Sequence, residues 1–101
     1  MLQKIDLIGN LVADAEVRTG KDGSEYIGFR LAASEFSGEE KNTTFYEVTC
    51  AKSGVLEFLK KGQQVFVSGR LSLSVNLKDD KAYLNARVKA RDLILCSTSK
   101  G

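Results

Sequence analysis

The sequence predicts an all-β fold: a small closed barrel of five strands, with one helix between the third and fourth. Three observations carry that prediction. Apolar and polar residues alternate in several separate stretches of the chain. The opening stretch, Lys4-Ile5-Asp6-Leu7-Ile8-Gly9-Asn10-Leu11, carries a glycine at its middle, where a strand usually bends or bulges. A long, bent first strand suits a closed barrel, in which one strand pairs with neighbours on both sides. Finally, only one segment, residues 53–61, has helical spacing.

In the first strand, Ile5, Leu7, Gly9 and Leu11 fall on one face and Lys4, Asp6, Ile8 and Asn10 on the other. Thr19-Gly20-Lys21-Asp22-Gly23 reads as a turn. The second strand, residues 26–34, places Ile27, Phe29, Leu31 and Ala33 opposite Tyr26, Gly28, Arg30 and Ala32. Residues 36–42 are polar and read as a mobile hairpin loop. In the third strand, residues 43–51, Thr44, Tyr46, Val48 and Cys50 share a face opposite Phe45, Glu47, Thr49 and Ala51.

Ser53 is placed to cap the helix, Val55, Leu56, Phe58 and Leu59 form its apolar stripe, and Lys60-Lys61 and Gly62 suit its end. The fourth strand, residues 65–75, puts Val65, Val67, Gly69, Leu71, Leu73 and Val75 on one face. Lys78-Asp79-Asp80-Lys81 makes a charged turn into the last strand, residues 83–90, and Leu93-Ile94-Leu95 closes the barrel. This order is that of the oligonucleotide/oligosaccharide-binding barrel, the OB-fold. The chain reads as one domain, residues 1–96, followed by a short loose end, residues 97–101.

Composition narrows the function. Of 101 residues none is histidine, and no serine or cysteine sits in a nucleophile setting, so no enzyme, metal site or cofactor is read. Cys50 and Cys96 read as reduced, core-facing thiols, with a disulfide or a zinc site as the alternatives. No apolar run approaches the roughly 18 residues of a membrane span, and the first residues lack a signal-peptide core; the expectation is a cytoplasmic protein without membrane contact. Net charge is +2, but residues 1–50 hold five bases against nine acids and residues 51–101 ten against four. A basic second half is compatible with tracking phosphates and equally with an ordinary solvated surface.

Four stretches resemble, in order, the bacterial single-stranded DNA-binding proteins. They are Lys4-Ile5-x-Leu7-Ile8-Gly9-Asn10-Leu11 with Asp14-x-Glu16-Val17-Arg18, then Phe29-Arg30-Leu31-Ala32-Ala33-Ser34-Glu35, then Thr44-Phe45-Tyr46-Glu47-Val48, and finally the run from Leu59-Lys60-Lys61-Gly62 to Ser68-Gly69-Arg70-Leu71. The resemblance implies sequence-independent binding of single-stranded DNA in replication, recombination or repair, and a homo-oligomer, a tetramer of two dimers or a dimer. It implies Phe45 as a base-stacking ring, and Phe36 as a second one, with a core or interface role as the alternative for each. It further implies Arg30, Arg70, Lys4, Lys52 and Lys60 as DNA contacts, and Tyr46 and Phe66 as interface residues.

Tyr83, Asn85, Arg87 and Lys89 alternate on one face of the last strand as an aromatic-plus-basic stripe, from which Arg87 joins the candidates. The chain departs from the family in having no tryptophan, Ala51 and Asn76 at two stacking positions, and Glu47 where a base is common. The family's recruitment of replication and repair proteins runs through an acidic tail beyond the barrel; residues 97–101 carry no acidic residue, so that role is not expected of them. Two rivals remain open: a primosomal replication protein of the same fold, and a protein-interaction module that uses Phe36 and Phe45 as its patch.

Overall fold

The computed structural model describes residues 3–96, with the backbone alone for Glu35, Phe36, Ser37 and Lys41. Its strands are β1 (Lys4–Leu11), β2 (Glu16–Thr19), β3 (Glu25–Ser37), β4 (Glu40–Ala51), β5 (Gln64–Lys78) and β6 (Lys81–Leu95). β1 pairs antiparallel with β5 along residues 4–10 and then with β3 at Asn10 and Leu11. β3 pairs with β4, β4 runs parallel to β6, and β6 pairs with β5. The ring of five is therefore closed, as the OB-fold expectation requires. β2, which has no counterpart among the five expected strands, is a short strand on the edge of β3 away from β4.

Closure depends on Gly9. There β1 leaves β5 for β3, and a Cβ on Gly9 would stand 2.5 Å from the carbonyl oxygen of Ala32. Inside the ring, Leu7, Leu11, Ile27, Phe29, Leu31, Val48, Val65, Val67 and Val88 form a buried cluster. These are the inward phases of the alternation seen in sequence, so period-two patterning alone selects the core.

Leu59, fully buried, is the further member, delivered by the segment between β4 and β5. That segment is shorter and tighter than the helix expected over residues 53–61: a 3₁₀ helix, Gly54–Phe58. Ser53 caps it, accepting a hydrogen bond from the Val55 amide at 3.5 Å. Ala15 N–H donates to the Leu59 carbonyl and Lys61 N–H to Asp14 Oδ1. Gly62 N–H donates to the Leu11 carbonyl, while Asn10 Nδ2 donates back to the Gly62 carbonyl. The end of β1 and the β1–β2 link thus hold residues 59–62, immediately after the 3₁₀ helix, in place.

Two hairpins differ from expectation. Residues 36–42 are not a long loop; β3 and β4 stay paired to Ser37 and Glu40 and reverse through Gly38, at φ +67°. In β5 the face shared with Val65 and Val67 is buried only as far as Leu71, which is half-buried. Beyond it β5 and β6 leave the barrel as a two-stranded arm, with Leu73, Val75 and Leu77 exposed, Leu77 to 80%. The arm turns at Asp79 and Asp80, both at positive φ (52° and 63°), as a two-residue hairpin of right-handed twist demands. No helix among the described residues is long and apolar enough to cross a membrane. The loose end expected at residues 97–101 lies outside the described residues.

Replacing Gly9 with Ala forces β1 and β3 apart and is expected to cost about 1–3 kcal/mol, a fall in Tm of roughly 4–8 °C per kcal/mol for a chain of this size. Gly54→Ala, whose Cβ would meet nothing within 4 Å, is the control and leaves the midpoint unchanged. Equal thermal midpoints for the two variants at one protein concentration would contradict this account of closure.

Candidate nucleic-acid interface

β4 and β6 pair over three residues only, with Glu47, Val48 and Thr49 against Arg87, Val88 and Lys89. A half-open groove of about 1070 Å³ follows this junction. Phe45, Glu47 and Thr49 line it from β4, Tyr26 and Arg30 from β3, and Leu84, Asn85, Arg87 and Lys89 from β6.

Strand phase puts Phe45 on the outer face, where it is 48% exposed. Across the β3–β4 ladder Arg30 faces Glu47 and Ala32 faces Phe45, so Arg30 sits diagonally from the ring. The Arg30 guanidinium carbon lies 5.0 Å from the ring centroid, within cation–π range. An exposed ring held beside a cation is a platform for a flat π system with an anionic neighbour.

Glu47 is not left bare. Arg18, on β2, donates from Nη1 to Glu47 Oε1 at 2.6 Å and from Nε to Glu16 Oε1 at 3.2 Å. The hydrogen bond it donates to Glu47 holds the Arg18 guanidinium above its ordinary pKa, against a smaller opposing effect of burial. Gly28 makes this reach possible: a Cβ there would meet the Arg18 guanidinium at 2.8 Å. Sequence reasoning missed Arg18 as part of the groove, because the contact joins residues 29 apart on strands that are not adjacent.

A second cavity, about 720 Å³, opens around the bulge at Ser68/Gly69 and is lined by Lys4, Arg70, Lys89 and Arg91 with Asp92. Three of its cations lie in one cross-strand row: Lys4 faces Arg70, Arg70 faces Lys89, and Lys89 faces Thr49 in the groove. None of the three lysine and arginine members of that row forms an ion pair among the described residues. Like charges placed directly opposite repel, and an anion along the row would relieve that repulsion. Lys89 lines both cavities and makes them one continuous surface.

The structure thus brings Arg30, Phe45 and Arg87 into the groove and Lys4 and Arg70 into its extension. It does not bring Lys52 or Lys60 to either. Lys52 is bound to Glu25 at 2.7 Å, and Lys60 is exposed beside the 3₁₀ helix. Phe36 is placed in β3 opposite Lys41 by register, and its side chain lies outside the described residues. Of the proposed interface residues, Tyr46 is partly buried against the core, and Phe66 stands between Ile8 and Ile94 on the outer face. Cys50 lines the groove floor as a free thiol, and burial pushes its pKa up.

A closed five-stranded barrel of this strand order is an OB-fold, here with an exposed ring and a run of cations along one surface. The chain belongs to the single-strand binding protein family, whose model matches residues 2–94. Among curated relatives, a single-stranded DNA-binding protein of Rhizobium meliloti is 34% identical over 80 residues, covering 69% of this chain and 46% of the relative. Another, from Chlorobaculum tepidum, is 36% identical over 93 residues, covering 81% and 57%. The chain spans about half the length of the curated relatives it matches.

Two solved structures share the fold: a small single-stranded DNA-binding protein from Streptomyces coelicolor and a Plasmodium falciparum SSB in complex with ssDNA. The first has a TM-score of 0.76 at 21% identity, covering 94% of each chain. The second has a TM-score of 0.73 at 22% identity, covering 96% of each.

Because the thiolate is the reactive form and burial raises the Cys50 pKa, alkylation of Cys50 at pH 8 is expected to be several-fold slower in the folded chain than in urea. The folded rate should climb as pH rises toward the raised value. Equal rates in the two states, read by mass spectrometry on the Cys50 peptide, would contradict the packing described for this residue.

Proposed function

We propose that this chain binds single-stranded DNA without sequence preference and covers exposed strands during replication, recombination or repair. The observation that carries the reading is the exposed Phe45 ring beside Arg30, in a groove continuous through Lys89 with the Arg70–Lys4 row. Unpaired bases need π faces and their backbone needs a cationic track, and this surface offers both. Family membership and the strand-bound Plasmodium structure support the same reading. The binding unit is residues 1–96, acting in the cytoplasm as a binding module without catalysis. With Ala51 and Asn76 at two positions where the family resemblance implies stacking rings, Phe45 carries an unusually large share of the stacking.

The chain works as a homo-oligomer. β1 meets β3 only at Asn10 and Leu11, so residues 4–9 keep one free hydrogen-bonding edge among the described residues. A free edge invites a second copy across a two-fold axis. The row of exposed Ile8, half-buried Phe66 and exposed Ile94 on the outer face gives such dimers an apolar patch on which to pair into tetramers.

Titration with a fluorescent oligothymidine at two salt concentrations tests the function. Affinity should fall with salt by about 0.7 in log–log slope per phosphate contacted. Phe45→Ala should weaken binding by about 1–3 kcal/mol while the thermal midpoint barely moves, since an exposed ring leaves no core cavity. A collapsed midpoint with unchanged affinity of the folded fraction would make Phe45 structural, and absence of binding by the unaltered chain would end the reading. For assembly, light scattering at micromolar concentration should return a dimer or tetramer; a mass of 11.1 kDa would contradict it.

A further inference from the structure

We propose that Glu47 is a built-in substitute for phosphate: it occupies Arg18 in the empty groove and gives it up to a strand, which restrains affinity. This deepens the single-strand reading and rests on it. Three cations converge on the groove around Glu47. Arg18 bonds it directly, Arg30 faces it across the β3–β4 ladder, and Arg87 faces it across the parallel β4–β6 pair. A carboxylate oxygen and a phosphate oxygen make equivalent charge-assisted hydrogen bonds to a guanidinium. The 2.6 Å contact is therefore the one an incoming phosphodiester would make with Arg18.

Several features separate this pair from a surface ion pair of the ordinary kind. It lies within the groove lining, whereas the Lys52–Glu25 pair lies outside it. Its side chains are about a third exposed, at 35% and 34%, so a ligand in the groove can reach both. Gly28 is emptied of a side chain where the guanidinium lies, so the arginine is positioned rather than merely attracted. Glu16 also holds Arg18 through Nε, so the guanidinium stays at the groove wall when Nη1 changes partner. Exchange then swaps one anion for another, and Arg18 contributes no net release of counterions while Glu47 stays charged.

The sign of the effect makes the test decisive. Glu47→Gln keeps the shape and removes the charge, so Arg18 is free to take a phosphate. Affinity for oligothymidine should rise roughly three- to tenfold at low salt, as expected for removing one nearby like charge from a ligand's path. The log–log salt slope should steepen by about 0.7, one further phosphate. Glu57→Gln, which removes one negative charge from the exposed 3₁₀ helix, is the charge-matched control and should change neither.

Arg18→Ala in the Glu47→Gln background should abolish both gains. Gly28→Ala, which pushes Arg18 aside, should weaken binding while far-ultraviolet dichroism is unchanged, and adding Glu47→Gln should restore the loss. If Glu47→Gln matches Glu57→Gln, or binds more weakly than the unaltered chain, the exchange is wrong while single-strand binding stands. If the unaltered chain binds no oligothymidine, the functional reading itself fails and this inference goes with it.

Discussion

The structure depends on β1 having two partners. Along residues 4–10 it is a strand of the β5–β6 sheet, and at Asn10 and Leu11 it becomes a strand of the β3–β4 sheet. Without that transfer the strands would form one open sheet in the order β1-β5-β6-β4-β3-β2, with β1 and β2 as its edges. Gly9 permits it by letting two backbones approach closer than any Cβ allows. The 3₁₀ segment completes the same junction, setting Leu59 into the core and hydrogen-bonding to both Leu11 and Ala15. Residues 4–9 of β1 keep one edge unpaired among the described residues as a consequence, and the proposed self-association uses that edge.

The groove exists because β4 and β6 stay together for only three residues. On one side of that short parallel contact the β3–β4 hairpin carries Phe45 and Arg30, and on the other the β5–β6 arm carries Leu84, Asn85 and Arg87. The charges there are not arranged for stability. An exposed ion pair is worth about 0–1 kcal/mol, and the Lys4–Arg70–Lys89 row places like charges face to face with no carboxylate bonded between them. The charge pattern is what the proposed reading requires, since an anionic strand would relieve the repulsion along this row and meet Arg18 where Glu47 now holds it.

Much of this was legible one strand at a time. Alternation identified the inward faces, so Ile27, Phe29, Leu31, Val48, Val65 and Val67 are core as expected, and the same phase sends Phe45 and Arg30 outward. What period two does not encode is where a sheet ends. Leu73 and Val75 continue the pattern of Val65 and Val67, yet they stand in solvent because β5 and β6 run on past the barrel. Lys52 and Lys60 were chosen by resemblance along the chain, and neither reaches the groove, since position in a sequence does not say which side of a barrel a loop leaves from.

By itself the sequence determined the strands, their buried faces, the position of the glycine on which β1 bends and the family to which the chain belongs. These depend on local chemistry: the alternation of side chains, backbone freedom at single residues, and motifs read in order. The tertiary structure alone decided that Arg18 meets Glu47 over Gly28, that Lys89 joins two cavities, and that the 3₁₀ segment stops after Phe58. Each of those requires residues from strands distant in sequence to share a register, and register is set by how the ring closes rather than by any one strand in it.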